Sequence, residues 1–327
     1  MTKNDVLEIL SSEKEFVSGE YISRKLGVSR VAVNKAVTSL KRDGYVIESS
    51  TYRGYMLKQR PDCLSVTELK RNLDTECIGK DILCFDSIDS TNTYVKNNYE
   101  KLNDGTVVIA EKQTDGRGRL GRSFVSLPGV GIYMSVLLKP EKLDKVSFLT
   151  AITGVCVCNA IEKVTAARPK IKWTNDIIMQ NKKVCGILTE MGVEGETGKI
   201  QYVVIGMGIN VNQTEEDFPK ELRNIAGSIR EACGKKIGRV ELCRSVIEEM
   251  DVVLSDIDGH YSKCLDLYRK DCMNIGRRIL VMKTQEGTEA EAVAVEEDFS
   301  LRVRYPDGKE ESIKSGEVSI RGMMGYA

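Results

Sequence analysis

The chain has 327 residues, of which 41% are hydrophobic and 29% charged, a composition typical of a soluble protein with two or three domains. Its 48 basic and 48 acidic side chains give a formal net charge of zero, so any nucleic-acid-binding surface has to be a local basic patch. No apolar run approaches the roughly 20 residues that span a bilayer, and signal-peptide features are absent, so we expect a cytoplasmic protein.

The cysteines and the histidine limit the chemistry. Ten cysteines are scattered without the spacing of metal ligands, and His260 is the one histidine. Thiols of a cytoplasmic protein stay reduced and mostly fill the core. A zinc site is therefore disfavoured. Chemistry based on a histidine general base is nearly excluded, because His260 lies in a helix-like stretch far from every motif described below.

The first part of the chain has the pattern of a winged helix-turn-helix. Three helical segments are followed by two β-prone runs, "YVIES" and "GYML". Ser18 and Ser29 have the position of N-cap residues for the second and third helices, and Gly27 ends the second. The third helix repeats apolar residues on one face, at Val33, Ala36, Val37 and Leu40. This order of elements is typical of a winged helix-turn-helix domain, which we assign to residues 1–62.

The charge of this segment is uneven. Residues 1–20 carry two basic and five acidic side chains, whereas residues 21–60 carry nine basic and two acidic ones. The basic side chains therefore concentrate on the recognition helix and the wing, as phosphate binding requires. The alternative is a small helical packing domain whose basic face is merely solvated. The predicted DNA contacts are Ser29, Arg30, Asn34, Lys35, Thr38 and Arg53.

After a linker, "QRPDCLS", the chain alternates strands and helices. The predicted strands include "DILCF", "GTVVIAEKQ", "GVGIYMSVLLK", "KKVCGILTEM" and "QYVVIGMGINVN", with helices after residue 89 and over residues 146–164. This pattern indicates an α+β fold with a mixed or antiparallel sheet, assigned to residues 63–272. Dinucleotide and P-loop fingerprints are absent. Residues 273–327 contain five short alternating segments that predict a small β-barrel.

A basic glycine loop, "GRGRLGR", runs from Gly116 to Arg122. Glycines allow a backbone to fold tightly around a ligand, and arginines supply planar pairs of donors that suit carboxylates and phosphates. The loop therefore predicts a small polyanionic ligand. By itself it leaves open a second interpretation, binding of nucleic acid without sequence preference.

The loop is one of several motifs in a characteristic order. "DSTN" at Asp89 to Asn92, "EKQTDGRGRLGR", "KWTNDIIM", "KKVCGILTEM" and "GMGINVN" together resemble the biotin–protein ligase family. The N-terminal domain resembles that of the bifunctional members, which also repress the biotin operon. The resemblance covers nearly the whole chain. It implies a winged helix-turn-helix, a central α/β ligase domain with a mixed or antiparallel sheet, and a small SH3-like β-barrel at the C-terminus.

The resemblance also implies a reaction and its partners. The family forms biotinyl-5′-AMP from biotin and ATP with Mg²⁺, then transfers biotin to a lysine of a biotin carboxyl carrier protein. Because the first step brings a carboxylate to a polyphosphate, the site has to supply positive charge. The bifunctional members imply two further partners, operator DNA and a second copy of the chain when the adenylate is bound.

Site residues carry over position by position. The resemblance assigns biotin contacts to Ser90, Thr91, Asn92, Gln113, Arg117, Gly118, Arg119 and Lys183. It assigns adenylate contacts to Arg119, Lys172, Trp173, Asn175, Asn210 and Arg321. Catalytic roles fall to Lys183, Arg117 and Asp176, and Asp176 is also the candidate Mg²⁺ ligand.

Several of these residues have a purely structural alternative. Ser90 has the position of a helix cap, Trp173 could be a core residue, and Asn175 with Asp176 could form a turn. Lys183 and the loop arginines could be solvated charges.

Two positions depart from the family pattern. Thr174 replaces a common proline, and Leu120 replaces a residue that is often basic, which lowers the charge beside the adenylate. Two other functions also stay open, a lipoyl or octanoyl ligase of the same fold and a ligand-sensing repressor without catalysis.

Overall fold

The chain divides into two compact units, Met1–Cys63 and Leu64–Ala327. The boundary expected after residue 272 falls inside the second unit and stays a prediction. The computed structural model describes residues 3–140, 146, 148–195, 198–282 and 287–314, and the backbone of 319–322.

The first unit contains three helices and a β-hairpin. Its elements are α1 (Lys3–Ser12), α2 (Gly19–Leu26), α3 (Arg30–Arg42), β1 (Val46–Ser50) and β2 (Gly54–Gln59). Ser18 Oγ accepts from the backbone N–H of Tyr21, and Ser29 Oγ accepts from that of Ala32, so both predicted caps are present. Gly27 ends α2 with φ 66°, a left-handed conformation that glycine adopts without steric strain.

The hydrophobic core of the first unit lies between its helices and the hairpin. Val33 and Leu40 on α3 are fully buried against Val6 on α1 and Ile22 on α2. The two strands pair antiparallel. This arrangement confirms the predicted winged helix-turn-helix.

The second unit is built on a seven-stranded sheet with the order β3-β4-β5-β9-β8-β7-β6. β3 and β4 pair in parallel, whereas the other neighbours pair antiparallel, so the sheet is mixed as expected. Its strands are β3 (Ile82–Phe85), β4 (Val107–Ala110), β5 (Gly131–Leu138), β6 (Lys170–Lys172), β7 (Asp176–Met179), β8 (Lys182–Val193) and β9 (Ile200–Asn210).

Helices pack against this sheet and against one another. They are α4 (Val66–Lys70), α5 (Thr91–Asn98), α6 (Leu149–Thr165), α7 (Ile229–Cys233), α8 (Arg239–Ser255) and α9 (Ile257–Asp271). The centre of α6 is apolar on all sides and buried throughout, in a single core that also includes residues of α8, α9 and the sheet. His260 lies on α9, in the helix expected from the sequence.

The chain ends in a smaller antiparallel sheet with the order β13-β12-β11-β10-β14. Its strands are β10 (Arg278–Met282), β11 (Thr288–Val295), β12 (Leu301–Arg304), β13 (Glu310–Ile313) and β14 (Ser319–Gly322). The predicted C-terminal β domain is therefore confirmed. Its residue Phe299 packs edge-on against Tyr268 of α9, which joins this sheet to the core of the second unit.

Two sequence-based expectations concern the whole chain. All ten cysteines lie within the described residues, and none forms a disulfide. Across the described ranges, every helix is too short or too polar to cross a membrane.

Candidate active site

A cavity lies in the second unit between the start of α5, the glycine loop and strands β8 and β9. Many of the residues predicted to contact ligand line it, although they come from four separate motifs. Those residues are Ser90, Thr91, Asn92, Gln113, Arg117, Gly118, Arg119, Asn175 and Lys183.

One end of the cavity is polar and uncharged. Ser90 is the N-cap of α5, so its hydroxyl accepts from the backbone N–H of Thr93, and the expected capping role is confirmed. Gln113 Oε1 accepts from the backbone N–H of Thr91 at 2.9 Å, and Gln113 Nε2 donates to Ser126 Oγ at 3.0 Å. These contacts fix the orientation of the Gln113 amide beside the cavity.

Asn92 extends this polar end towards a carboxylate. Its Nδ2 donates to Glu190 Oε2 at 2.8 Å, and the other oxygen of Glu190 accepts from Lys96 Nζ at 2.7 Å. Burial by itself raises the pKa of Glu190. The hydrogen bonds from Lys96 and Asn92, with the positive charge of Arg117, outweigh burial and hold the pKa below its ordinary value.

The rest of the cavity, called here the cationic end, carries three cations with different partners, and Arg117 is the one whose charge also acts on Glu190. Lys183 Nζ lies 2.6 Å from Asp176 Oδ1, and both side chains are largely buried. Arg119 Nη1 donates to Asn175 Oδ1 at 2.9 Å. Arg117 Nη2 donates to Asp115 Oδ2 at 3.0 Å in a pair that is about half exposed.

The two arginines differ in environment. Burial lowers the pKa of Arg119, and the nearby Asp176 partly opposes that shift. The hydrogen bond to Asp115 raises the pKa of Arg117. A guanidinium stays charged at neutral pH in either environment, so both side chains can face an anion as cations.

Glycines on the two central strands make room for the cavity. A Cβ at Gly186 would lie 2.9 Å from Lys183 Nζ, and a Cβ at Gly208 would lie 2.6 Å from the Phe124 ring. Gly206 is equally tight, since a Cβ there would lie 2.2 Å from Asn92 Oδ1. Gly186 and Gly208 are direct partners across the β8–β9 pair.

Part of the lining was not predicted from the sequence. The additional residues are Phe124, Met134, Gly186, Ile187, Leu188, Gly206, Met207 and Gly208. The glycines offered a usable signal, because a glycine within a strand often marks a place where a ligand or another group approaches closely. The aromatic and aliphatic members gave none, since the same residue types fill any core.

Four residues predicted to contact the adenylate are not among the lining. Trp173 is buried, and its indole N–H donates to the carbonyl of Phe299 at 2.9 Å, as its structural alternative requires. Lys172 is buried in β6. Asn210 contacts a lining residue, since its Nδ2 lies 3.5 Å from the carbonyl oxygen of Lys183. Arg321 belongs to β14, and its side chain lies outside what the structure describes.

The two departures from the family pattern occupy unusual backbone. Leu120 has φ 56° and is 75% exposed at the tip of the glycine loop. The peptide bond between Trp173 and Thr174 is cis.

Most of the predicted DNA-contacting residues are exposed on α3 or cap it. Arg30, Lys35 and Thr38 are exposed on α3, next to the fully buried face of that helix. Asn34 is also exposed, and its amide donates to the hydroxyl of Tyr55 on β2 at 3.2 Å. Ser29 caps α3.

The wing carries the remaining predicted contact. The Arg53 guanidinium lies 4.0 Å from the centre of the Phe16 ring. Tyr52, beside it at the tip of the hairpin, is 98% exposed, and sequence analysis did not single it out.

Chemically, the cavity joins a neutral hydrogen-bonding end to a cationic end. The neutral end suits a polar, uncharged ring. The cationic end suits a carboxylate and a phosphate, because it holds three positive groups whose partners are carboxylates or an amide that an anionic ligand could replace.

Comparison with known proteins assigns the chain to a family. The model of the Biotin/lipoate A/B protein ligase family matches residues 84–210, and a helix-turn-helix domain model matches residues 2–56. The bifunctional ligase/repressor BirA of Bacillus subtilis strain 168 is 40% identical over 314 residues, which cover 94% of this chain and 95% of that protein. The protein of the same name from Escherichia coli K12 is 34% identical over 203 residues, 62% of this chain and 61% of that protein.

Solved structures agree. The biotin protein ligase of Aquifex aeolicus in complex with biotin and ATP is 29% identical and superimposes with a TM-score of 0.65, over 74% of this chain and 99% of that one. The similarity to the relative from B. subtilis extends over both compact units. The chain belongs to the biotin protein ligase family, among the bifunctional ligase/repressors that carry a helix-turn-helix domain.

Proposed function

We propose that this chain joins biotin to ATP to form biotinyl-5′-AMP, transfers biotin to a lysine of a biotin carboxyl carrier protein, and represses biotin genes. The observation that carries the enzymatic part is the cavity, where Thr91 and Gln113 at a neutral end face Arg117, Arg119 and Lys183 at a cationic end. The matching chemistry is a ureido ring at one end and a carboxylate meeting a phosphate at the other.

In the first step the biotin carboxylate attacks the α-phosphorus of ATP, a new C–O–P bond forms, and pyrophosphate leaves. Two anions have to approach each other, so positive charge at their meeting point lowers the barrier. Lys183 is suited to this role because its ammonium is held at the cavity wall by Asp176. Arg117 and Arg119, on the glycine loop, would bind the carboxylate and phosphate from the other side.

Mg²⁺ fits this site in one particular way. Within the described ranges, no group of three or more His, Cys, Asp or Glu side chains could hold a metal ion. Asp176, beside Lys183 at the cavity, is the carboxylate that would hold such an ion together with the phosphates of ATP. A metal bound there supplies charge neutralisation of the leaving pyrophosphate.

In the second step the amine of the carrier lysine attacks the carbonyl carbon of the adenylate, and AMP leaves. The chain needs no nucleophile of its own for either step. Six of the ten thiols are buried, and burial raises the pKa of a thiol, as it does for Cys185 on β8. Asp176 is placed beside Lys183, where it would also orient the incoming ammonium before that group loses its proton.

The repressor activity rests on the first unit. Arg30 and Lys35 are exposed on α3, so they are available to the phosphates of a duplex. Substitution of either by alanine should weaken operator binding and flatten its salt dependence, by about one unit of slope for each phosphate that is no longer neutralised. Two copies of the chain, associated when the adenylate is bound, would place two recognition helices on an operator with two-fold symmetry.

The deciding experiment is an incubation of the full chain with biotin, Mg-ATP and a purified biotin carrier domain, read by mass spectrometry. A mass increase equal to one biotinyl group on the carrier is expected. Lipoate and octanoate in parallel reactions separate this function from a ligase of the related specificity. An unmodified carrier, with biotin still bound by the chain, would instead favour a ligand-sensing repressor without catalysis.

A further inference from the structure

A chain of hydrogen bonds runs from the surface of the second unit to the neutral end of the cavity. Lys96 donates to one oxygen of Glu190, and Asn92 Nδ2 donates to the other at 2.8 Å. On the far side of Asn92, its Oδ1 lies 2.6 Å from Ser135 Oγ, and Ser135 Oγ lies 2.7 Å from Thr91 Oγ1. Ser135 is fully buried, so its hydroxyl depends on these protein partners.

The direction of each hydrogen bond follows from the first one. A carboxylate can only accept, so Asn92 has to present its amino group to Glu190 and its oxygen to Ser135. The same amino group also points at the carbonyl oxygen of Leu188, 3.4 Å away, which a flipped amide would repel. Ser135 has one proton, and it has to donate that proton to Asn92 Oδ1.

Thr91 is then left with a single role. Ser135 has no proton for Thr91, so the contact of 2.7 Å requires Thr91 to donate to Ser135. Gln113 Oε1 accepts from the Thr91 backbone N–H and, 3.1 Å from Thr91 Oγ1, is a second possible acceptor for that hydroxyl, but the shorter contact to Ser135 takes its proton. The lone pairs of Thr91 Oγ1 therefore remain for a hydrogen-bond donor in the cavity.

We propose that Glu190 is a positioning residue that makes Thr91 an acceptor and thereby selects a ligand ring that carries an N–H group. The inference rests on the proposed function and deepens it, because a ureido ring has N–H donors and the dithiolane ring of lipoate has none. Glu190 does not line the cavity itself and acts through Asn92 and Ser135. Gly206 supports the arrangement, since its missing side chain leaves the space that the Asn92 amide occupies.

The substitution Glu190→Gln tests this mechanism with little change of shape. Glutamine has one oxygen for two donors, and the Lys96 ammonium, which can only donate, takes it. The amino group introduced by the substitution then faces the amino group of Asn92. The Asn92 amide has to rotate by half a turn, so that its oxygen accepts from position 190. Ser135 has to accept from Asn92 and donate to Thr91, so the Thr91 proton moves away from Ser135 towards Gln113 Oε1 and the cavity. Thr91 is then no longer held purely as an acceptor for a ligand N–H.

We expect Glu190→Gln to raise the Kd for biotin at least tenfold, which is the effect expected when one buried hydrogen bond to the ligand is lost. The KM for ATP in pyrophosphate exchange should stay within threefold. The double substitution Lys96→Met with Glu190→Gln should restore the Kd to within threefold of that of Lys96→Met alone, because the glutamine oxygen is then available to Asn92. The matched control is Glu248→Gln, which disturbs a Lys–Glu pair between α6 and α8 and should not change the Kd.

Binding is measured by calorimetric titration of the full chain with biotin, and circular dichroism verifies that each variant is folded. If the loss of the ion pair itself were responsible, Lys96→Met would be as harmful as Glu190→Gln and the double variant no better. That result, or a Kd unaffected by Glu190→Gln, would overturn the inference and leave the proposed function standing. Failure of the unsubstituted chain to bind biotin would remove the proposed function, and the inference with it.

Discussion

Lys183 is the cation on which the reaction depends most directly. Its Nζ lies 2.6 Å from Asp176, and a Cβ at Gly186 would come within 2.9 Å of it, so the ammonium has a defined place at the cavity wall. We predict that Lys183→Ala and Arg117→Ala each lower the rate of adenylate formation about 100- to 1000-fold, since one such electrostatic contact contributes ~3–4 kcal/mol to the transition state. Pyrophosphate exchange measures the rate.

The neighbouring Lys182 is a suitable control for this experiment. It is the same residue type on the same strand, and its side chain packs near Gly227 instead of lining the cavity. Lys182→Ala should leave the exchange rate within a few fold of the unsubstituted chain. Exchange at a near-normal rate in both Lys183→Ala and Arg117→Ala would contradict the assignment of the cationic end.

Gly206 gives a steric test of the neutral end. A Cβ at this position would lie 2.2 Å from Asn92 Oδ1, so Gly206→Ala has to displace the Asn92 amide. We predict a weaker affinity for biotin and a loss of stability of about 1–3 kcal/mol, as for other overpacked sites. Gly154→Ala is the control, because a Cβ there meets its neighbours at an ordinary 3.7–3.9 Å. Calorimetric titration and thermal unfolding would read both effects, and unchanged values for Gly206→Ala would count against the packing described here.

Among single residues, the polar lining of the cavity could be predicted from the sequence, but the side chains that support it could not. Ser90, Gln113 and Arg119 stand in motifs that the family shares, and they line one cavity as a group. Ser135 and Glu190 stand in ordinary strand sequence. Their importance comes from the sheet register and the placement of α5, which bring them to Asn92 across 43 and 98 positions of the chain.

The elements of the second unit are joined by a buried ion pair. The guanidinium of Arg239 at the start of α8 donates to Glu111, which follows β4, with Nη1 2.7 Å from Oε2. Glu111 also accepts from the backbone N–H groups of Leu64 and Gly129. The pair thus connects the first residue of the unit, the central sheet and a long helix.

This pair predicts a dependence of stability on pH. Burial by itself raises the pKa of Glu111, but the hydrogen bonds from Arg239 and the backbone hold it below its ordinary value. A lowered folded-state pKa adds stability above the pKa of an unfolded glutamate, about 4.3, and that stability is lost as pH falls through the folded value. We predict that Glu111→Gln destabilises the chain by roughly 2 kcal/mol at neutral pH.

Urea unfolding at pH 7 and at pH 4 would measure this contribution. The difference between Glu111→Gln and the unsubstituted chain should begin to shrink at the lower pH, because an unfolded glutamate, with a pKa of about 4.3, binds a proton there more readily than the native carboxylate does. Glu248→Gln removes a carboxylate that pairs with the exposed Lys163. Its stability should differ much less from that of the unsubstituted chain at both pH values. A difference that is independent of pH would show that the charge of Glu111 is not what stabilises the unit.

The helices and strands that could be predicted from the sequence are those with a clear run or regular spacing of apolar residues. The helix α3 and the strands β5, β8 and β9 were expected, because each repeats its apolar positions over many residues. β6 and β7 were not predicted. They contain three and four residues, and the intervening "WTN" resembles a loop in isolation, whereas the equally short β3 and β4 are continuous apolar runs. Their pairing with each other and with β8 establishes them as strands.

At the scale of the whole molecule, the two compact units predict separable activities. A truncated chain that begins at Asp62 keeps the hydrogen bond from the Leu64 N–H to Glu111, and it keeps the entire cavity. We predict that it biotinylates a carrier domain measurably and loses sequence-specific DNA binding. Carrier mass and an electrophoretic mobility shift would read the two activities. Specific operator binding by the truncated chain would refute the role of the winged helix-turn-helix.

The glycine loop also predicts a coupling between ligand and association. Arg117, half exposed, is paired with the neighbouring surface carboxylate of Asp115, and Leu120 is exposed at the loop tip with a left-handed backbone. A glycine-rich loop with like charges loses entropy when it closes. An adenylate that draws both arginines inward would offset that cost and turn the loop into a fixed surface for a second copy.

We therefore predict that biotin together with Mg-ATP shifts the full chain from monomer to dimer and raises its affinity for operator DNA. Dimerisation and adenylate binding would be linked reciprocally, each strengthening the other by the same factor. A carrier domain that uses the same surface would compete with the second copy, so a high demand for biotinylation would relieve repression. Sedimentation velocity with and without ligands, alongside operator titrations under the same conditions, measures both sides of this linkage. Arg117→Ala should weaken the response to ligand, because its loop would close less often. An association state and an operator affinity that both ignore the adenylate would leave a ligase joined to an independent DNA-binding domain, with no switch between them.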